Sequence, residues 1–289
     1  LYNIVDRIYI GHMPQVGRVA LTGVGLCFPV ICLITAFTML VAQGGAPRAA
    51  IAMGEGENRR AETIMGSCFT CLVITAAALT ALFWIFGERL LWIFGCSEKT
   101  IQYALPYMRI YSSGSLFVMM ALGMNLFITT QGFASVSMVT VLIGAVSNIV
   151  LDPIFIYGLG MGVRGAALAT VLSQAISGVW VVAFLAGKRT TLRLRWRNMR
   201  PRWEVMGPVL ALGISPFIMQ STEALLNICF NSSLQRYGGD IAVGAMTVAS
   251  TVLQMVWIPT QGLGQGAQPI ISYNYGARNA QRVKEAFFA

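Results

Sequence analysis

Three acidic residues, Asp6, Asp152 and Glu223, sit inside apolar stretches long enough to cross a membrane, and the whole chain has only eleven acids. A carboxylate at that depth is costly unless it is paired, hydrated or protonated, so such residues mark ion and proton pathways. Asn148 and Asp152 are four residues apart and therefore share one helix face. Asp152 precedes the glycine-rich turn at Gly158 by six residues, Thr170 follows its end at Gly165 by five, and Asp6 precedes Gly11 by five. At ~1.5 Å per residue, all three lie about 7–9 Å below the same membrane face. Oxygen-bearing side chains gathered at one depth suit a proton or Na⁺, with carboxylates, an Asn amide and a Thr hydroxyl as ligands. Two carboxylates near each other do not easily both ionise.

Pro153 follows Asp152 directly, removes one helix amide and frees a carbonyl. A helix bend there would answer to the charge on Asp152, the alternative being a static kink. Glu223 follows Pro216 and Gln220, and Gln220 and Glu223 are three apart. That pair suits a counter-charge for a cationic substrate or a second coupling site, the alternative being hydrogen-bonded packing.

The elements that carry these residues are helical membrane spans. Hydrophobic residues make up 56% of the chain, charged residues 11%, and mean hydropathy is +0.68. Soluble domains carry about 25% charged residues. A short first helix from Leu1 to Ile10 precedes seven spans near 19–43, 64–86, 104–130, 136–157, 166–186, 205–232 and 241–266. The net charge of +9 is concentrated in a few loops, above all 187–202 with its seven basic residues. By the positive-inside rule that loop is cytoplasmic, and so are those with Arg48, Arg59 and Arg60 and with Arg278, Arg282 and Lys284. Topology accounts for this charge better than nucleic-acid binding does. The chain opens on Leu1 inside an apolar stretch, and it is expected to be a fragment missing both ends.

Cys68 and Cys71 have C-x-x-C spacing, but no second pair and no nearby His accompany them, so packing is the expectation. His12 carries no assigned role. Arg109 reads as an interfacial anchor, and Met119, Met120 and Met124 as packing residues. Clustered Asp pairs or a His–Asp arrangement, which a membrane transferase would need, are not found.

The sequence also repeats. Residues 43–47 (Gln-Gly-Gly-Ala-Pro) and 265–269 (Gln-Gly-Ala-Gln-Pro) align at an offset of 222, which continues to Gly54 with Gly276 and Arg60 with Arg282. Residues 1–4 align with 225–228 at an offset of 224. The repeat is parallel, as in transporters built from two similar bundles. It divides the chain into a first bundle at 1–186, a basic linker at 187–204 and the start of a second bundle at 205–289.

The run from Asn148 through Asp152-Pro153, Gly158, Gly160, Gly162, Gly165 and Thr170 to Gln174 resembles helices five and six of the multidrug and toxic compound extrusion (MATE) transporters. Residues 3–11, with Asp6 and Gly11, are similar to that family's first helix. The resemblance implies an all-α, two-bundle membrane transporter represented here from a partial helix one to helix eight. It implies a multi-pass, monomeric, non-enzymatic protein of the cell membrane that needs no cofactor. Its implied activity is export of cationic or amphipathic compounds in exchange for Na⁺ or H⁺ by alternating access. It also implies that the coupling ion is held at Asp6, Asn148, Asp152 and Thr170. A flippase for lipid-linked precursors ranks second, because the spans offer few buried basic residues for anionic headgroups. A membrane-embedded transferase ranks third.

Overall fold

The computed structural model describes residues 2–13 and 17–288. Every regular element among them is helical. Helix α1 is Tyr2–Gly11, α2 Gly17–Leu26 and α3 Phe28–Gly54; α2 and α3 run together as 38 residues, broken only at Cys27. Then come α4 (Asn58–Ile93), α5 (Glu98–Ser113), α6 (Ser115–Met119), a π-helical turn at Met120–Met124, and α7 (Asn125–Thr130). Helix α8 is Ala134–Pro153, continued by a π-helical turn at Ile154–Gly158; α9 is Val163–Ala186. After a short 3-10 turn at Trp196–Asn198, α10 covers Trp203–Gly276 and α11 Ala280–Phe288.

The helices outrun the apolar windows that reveal them. Helix α5 begins at Glu98, ahead of its apolar stretch, because Ser97 caps it. The Ser97 hydroxyl accepts from the Thr100 amide at 3.3 Å, and the Thr100 hydroxyl accepts from the Ser97 amide at 2.8 Å. At the end of α3 the signal is a stop: after Gly54 the chain turns at Gly56, whose φ of +82° suits only glycine at low cost. The expected single span at 104–130 is in fact bent by 58° between α5 and α6. It bends at the Ser113-Gly114-Ser115 step, where a Cβ on Gly114 would collide with the Val171 side chain of α9. The expected outer loop between residues 232 and 241 contracts to one non-helical residue, Gly239 (φ 64°, ψ −166°), so α10 is two membrane-length arms joined by a hinge.

Helix α3 is the central post, with 72% of its apolar window, taken together with α2, buried. Both arms of α10 pack against it. Glycines make the approach close: a Cβ on Gly44 would meet the Val209 carbonyl, and one on Gly213 the Leu40 carbonyl. Along the second arm the contacts follow the sequence repeat. Gly25 lies against Thr247 and Gly244 against Thr22; Gly54 lies against Tyr273 and Gly276 against Ile51. Positions 22 and 244, 25 and 247, 51 and 273, and 54 and 276 are all 222 apart. The repeated helices therefore meet across their own symmetry axis. The outward faces of α4 and α8 are apolar and exposed, with Ile74, Trp84, Ile85, Leu142, Val146 and Val150 turned to the surrounding medium, as lipid-facing helices require.

The basic linker is strapped to the helices before it. Thr190, Leu192 and Leu194 alternate inward and are buried. Gln131 Oε1 accepts from the Leu192 amide at 2.7 Å and from the Thr190 hydroxyl at 2.5 Å. Glu62 on α4 accepts from the Arg193 amide at 3.1 Å and from Asn198 Nδ2 at 3.3 Å, and Arg195 Nε lies 3.9 Å from its carboxylate.

Candidate functional site

Four helices converge on one buried polar cluster. Asp6 comes from α1, Tyr107 from α5, Asn148 and Asp152 from successive turns of α8, and Thr170 from α9. Asp6, Tyr107, Asn148 and Asp152 are completely shielded, and Thr170 is 1% exposed. The Thr170 hydroxyl donates to the Asp6 carboxylate, at 2.9 Å from Oδ1 and 2.7 Å from Oδ2. The Tyr107 hydroxyl donates to Asp6 Oδ2 at 3.1 Å. Asn148 Nδ2 lies 3.3 Å from Asp6 Oδ1, 3.1 Å from Asp152 Oδ1 and 3.3 Å from Thr170 Oγ1. One amide thus bridges the two acids.

Contacts near the α8–α9 turn hold these helices in place. Gly165 at the start of α9 rests on the backbone of Phe155, which closes the α8–α9 hairpin that sets Thr170 opposite Asn148. The Tyr157 hydroxyl donates to the Tyr9 carbonyl at 2.7 Å, which ties the end of α8 to α1 one turn beyond Asp6. Pro153 ends the α-helical part of α8, and the π-helical turn begins at Ile154. The change of winding begins two residues after Asp152, a feature frequent at functional positions.

The donors fall short of the acceptors. Asp152 Oδ2 and Asn148 Oδ1 are buried and have no hydrogen-bond partner among the described residues. Two ionised carboxylates in this space would lack neutralisation, since no cationic side chain forms an ion pair with either one among the described residues. One added positive charge would halve the charge of the pair and supply a partner for the free oxygens. The donor set fits a proton or Na⁺: two carboxylates, an amide oxygen and a hydroxyl are hard oxygen ligands. No group of three or more His, Cys, Asp or Glu side chains that could hold a metal ion occurs among the described residues.

The other candidates lie elsewhere. Gln220 and Glu223 are partly exposed on α10, and no side-chain hydrogen bond joins them to each other or to the acid pair among the described residues. Met119, Met120 and Met124 are buried in the core. Cys68 is buried with its thiol 3.8 Å from the Val41 carbonyl. Arg109 lies over the Trp84 ring at 6.0 Å.

Sequence reasoning misses Tyr107 and Arg7. A tyrosine in an apolar span reads as packing, yet a buried phenol needs a partner, and that need is the available signal. Arg7 escapes a search for intramembrane acids. It is 6% exposed, its Nη1 donates to Thr251 Oγ1 at 2.6 Å, and its guanidinium lies 5.3 Å above the Phe28 ring.

Membrane-length helices, lipid-facing apolar surfaces and an ionisable cluster at membrane depth define a multi-pass membrane protein of the transporter class. The family model MatE matches residues 1–154 and 216–289, and the chain belongs to that family, the MATE transporters. It is 25% identical to the multidrug export protein MepA of Staphylococcus haemolyticus over 99% of this chain and 62% of that protein. It is similar to the MATE multidrug transporter DinF-BH, solved in complex with a ligand, with TM-score 0.93 and 34% identity over all of this chain and 64% of that one. An outward-facing MATE family multidrug resistance transporter matches with TM-score 0.86 and 26% identity, over 63% of its length. The chain thus spans less than two thirds of these relatives: 62% of the Staphylococcus haemolyticus MepA and 63% of the Staphylococcus aureus MepA. As a MATE family member it is a multi-pass protein of the cell membrane, and the proteins of that family are transporters, not enzymes.

Proposed function

We propose that the complete transporter exports cationic or amphipathic compounds in exchange for inward Na⁺ or H⁺, with the coupling ion taken up at Asp6 and Asp152. One observation carries the reading: two shielded aspartates share a single Asn148 amide, while Asp152 Oδ2 and Asn148 Oδ1 remain without donors among the described residues. An entering cation satisfies those acceptors and halves the charge of the pair. Its departure leaves two buried negative charges, which favours a rearrangement of the helices that bear them. Because α1, α5, α8 and α9 all contribute, occupancy of the site acts on the packing of the first bundle as a whole. The basic loops then face the cytoplasm and the α8–α9 turn faces out, so the ion enters from outside.

The two-bundle division at 1–186 and 205–289 supplies the moving parts, and the repeat contacts of α2 and α3 with the second arm of α10 form their seam. Drug export is favoured over flipping of lipid-linked precursors because the similarity runs to proteins named as multidrug exporters. The test is transport by the full-length protein in proteoliposomes under imposed Na⁺ or pH gradients. One of the two gradients should drive uptake of a cationic dye, and Asp152→Asn should abolish the drive while passive dye exchange persists. Gradient-driven uptake that survives Asp152→Asn would overturn the assignment.

A further inference from the structure

We propose that Arg7 forms a subsite for the carboxylate of zwitterionic or anionic amphipathic compounds, where α1, α3 and α10 meet. The proposal rests on the exporter reading above and narrows its substrate class.

Asp6 and Arg7 are adjacent, and consecutive residues on a helix point about 100° apart. Asp6 therefore enters the acid cluster while Arg7 turns toward the other side, to Phe28 of α3 and Thr251 of α10. Only 6% of Arg7 is exposed. Among the described residues its guanidinium has one hydrogen bond and no ion pair, and its Nε is buried without an acceptor. Thr251 does not neutralise it, because a hydroxyl carries no charge, and that hydroxyl also lies 2.8 Å from the Thr247 carbonyl. A buried guanidinium with unused donors favours an anion, and its fork matches a carboxylate with two parallel bonds.

The walls suit the rest of such a molecule. Phe28, Cys32 and Ala224 form a small apolar cluster apart from the main core. Phe28 offers a ring face beneath the guanidinium, and Ala224 is preceded by the half-buried Glu223, which has no side-chain partner among the described residues. These three side chains are shielded where α10 packs on α3, so a flat apolar body would lie on them once the two helices part, with a guanidinium at one end and a carboxylate near the other. The competing role for Arg7 is a strut that ties α1 to α10 through Thr251.

A cationic xanthene dye carrying an ethyl ester and its de-esterified free acid separate the two roles, because they share one ring system and differ in a single carboxylate. Binding of each dye to the purified full-length transporter is read by fluorescence anisotropy. The wild-type protein should bind the free acid at least as tightly as the ester. Arg7→Gln should weaken the free acid about tenfold or more and the ester less than about threefold, from the loss of a hydrogen bond between charged groups. Thr251→Val removes the strut and keeps the charge, and it should preserve the preference for the free acid. Equal loss of both dyes in Arg7→Gln, reproduced by Thr251→Val, makes Arg7 a strut and overturns the proposal. So does a wild-type protein that binds the ester and rejects the acid. A wild-type protein that binds neither dye overturns the exporter reading instead.

Discussion

Thr170→Val probes the acid cluster with the least disturbance of shape. Valine keeps the volume and branching of threonine but removes a hydroxyl that donates to Asp6 at 2.7 and 2.9 Å and faces Asn148 Nδ2 at 3.3 Å. The bond lost from Asp6 is charge-assisted and fully shielded, so its removal costs about 1.5–3 kcal/mol. That bond stabilises the empty, ionised site, so at about 1.4 kcal/mol per decade the coupling ion should bind roughly 10–150-fold more tightly without it. The Asn148 amide is left one acceptor fewer, which partly offsets the loss because Nδ2 has only two hydrogens for three neighbours. In proteoliposomes of the full-length protein, the half-saturating concentration of the driving ion should fall by at least about tenfold. Ser177→Ala is the comparison. Ser177 is two turns along the same helix and donates to the Thr140 carbonyl at 3.1 Å, outside the cluster. It should lose stability by about 1 kcal/mol with no change in ion dependence. An unshifted ion dependence in Thr170→Val, or an equal shift in Ser177→Ala, would refute the reasoning.

Two further outcomes test the framework. Gly213→Ala places a Cβ against the Leu40 carbonyl and should cost about 1–3 kcal/mol by overpacking, seen as a lower Tm in detergent. Gly264→Ala faces open space on the same helix and should hold or raise the Tm, by up to about 1 kcal/mol of helix propensity; equal losses would contradict the close crossing. Glu62→Gln weakens the acceptor that holds the Arg193 amide and Asn198, and trypsin should cut the 193–197 stretch about 5–100-fold faster. Glu57→Gln, whose partner Arg60 is exposed, should leave that cleavage unchanged.

The cluster is legible in the sequence because its residues obey simple rules of spacing. Asn148 and Asp152 share a face, and counting from Gly11, Gly158 and Gly165 puts three oxygen-bearing side chains at one depth. What the count does not supply is which other side chain reaches in. Tyr107 belongs to a helix whose bend at Gly114 is invisible to hydropathy, because a Ser-Gly-Ser step barely lowers the apolar average while it alters the path of the helix. Span ends escape for a related reason. Hydropathy marks where lipid begins, whereas helices stop where a cap such as Ser97 or a left-handed glycine such as Gly56 ends the hydrogen-bond ladder. In the linker the arginines draw the eye, although the alternation of Thr190, Leu192 and Leu194 between them is the buried edge.

The glycines on the symmetry axis have a consequence for how the sequence can change. At Gly54 and Gly276, and at Thr22 with Gly244, a residue faces the other copy of its own repeat position or its near neighbour. The contact is self-complementary within one chain, in the way a two-fold dimer interface is self-complementary between two. A substitution on one repeat therefore meets an opposing surface of nearly the same shape, and bulk added at one position has its natural compensation at the position 222 residues away. Paired changes across that offset, rather than single ones, are the steps by which this seam can be reshaped without parting the two helices.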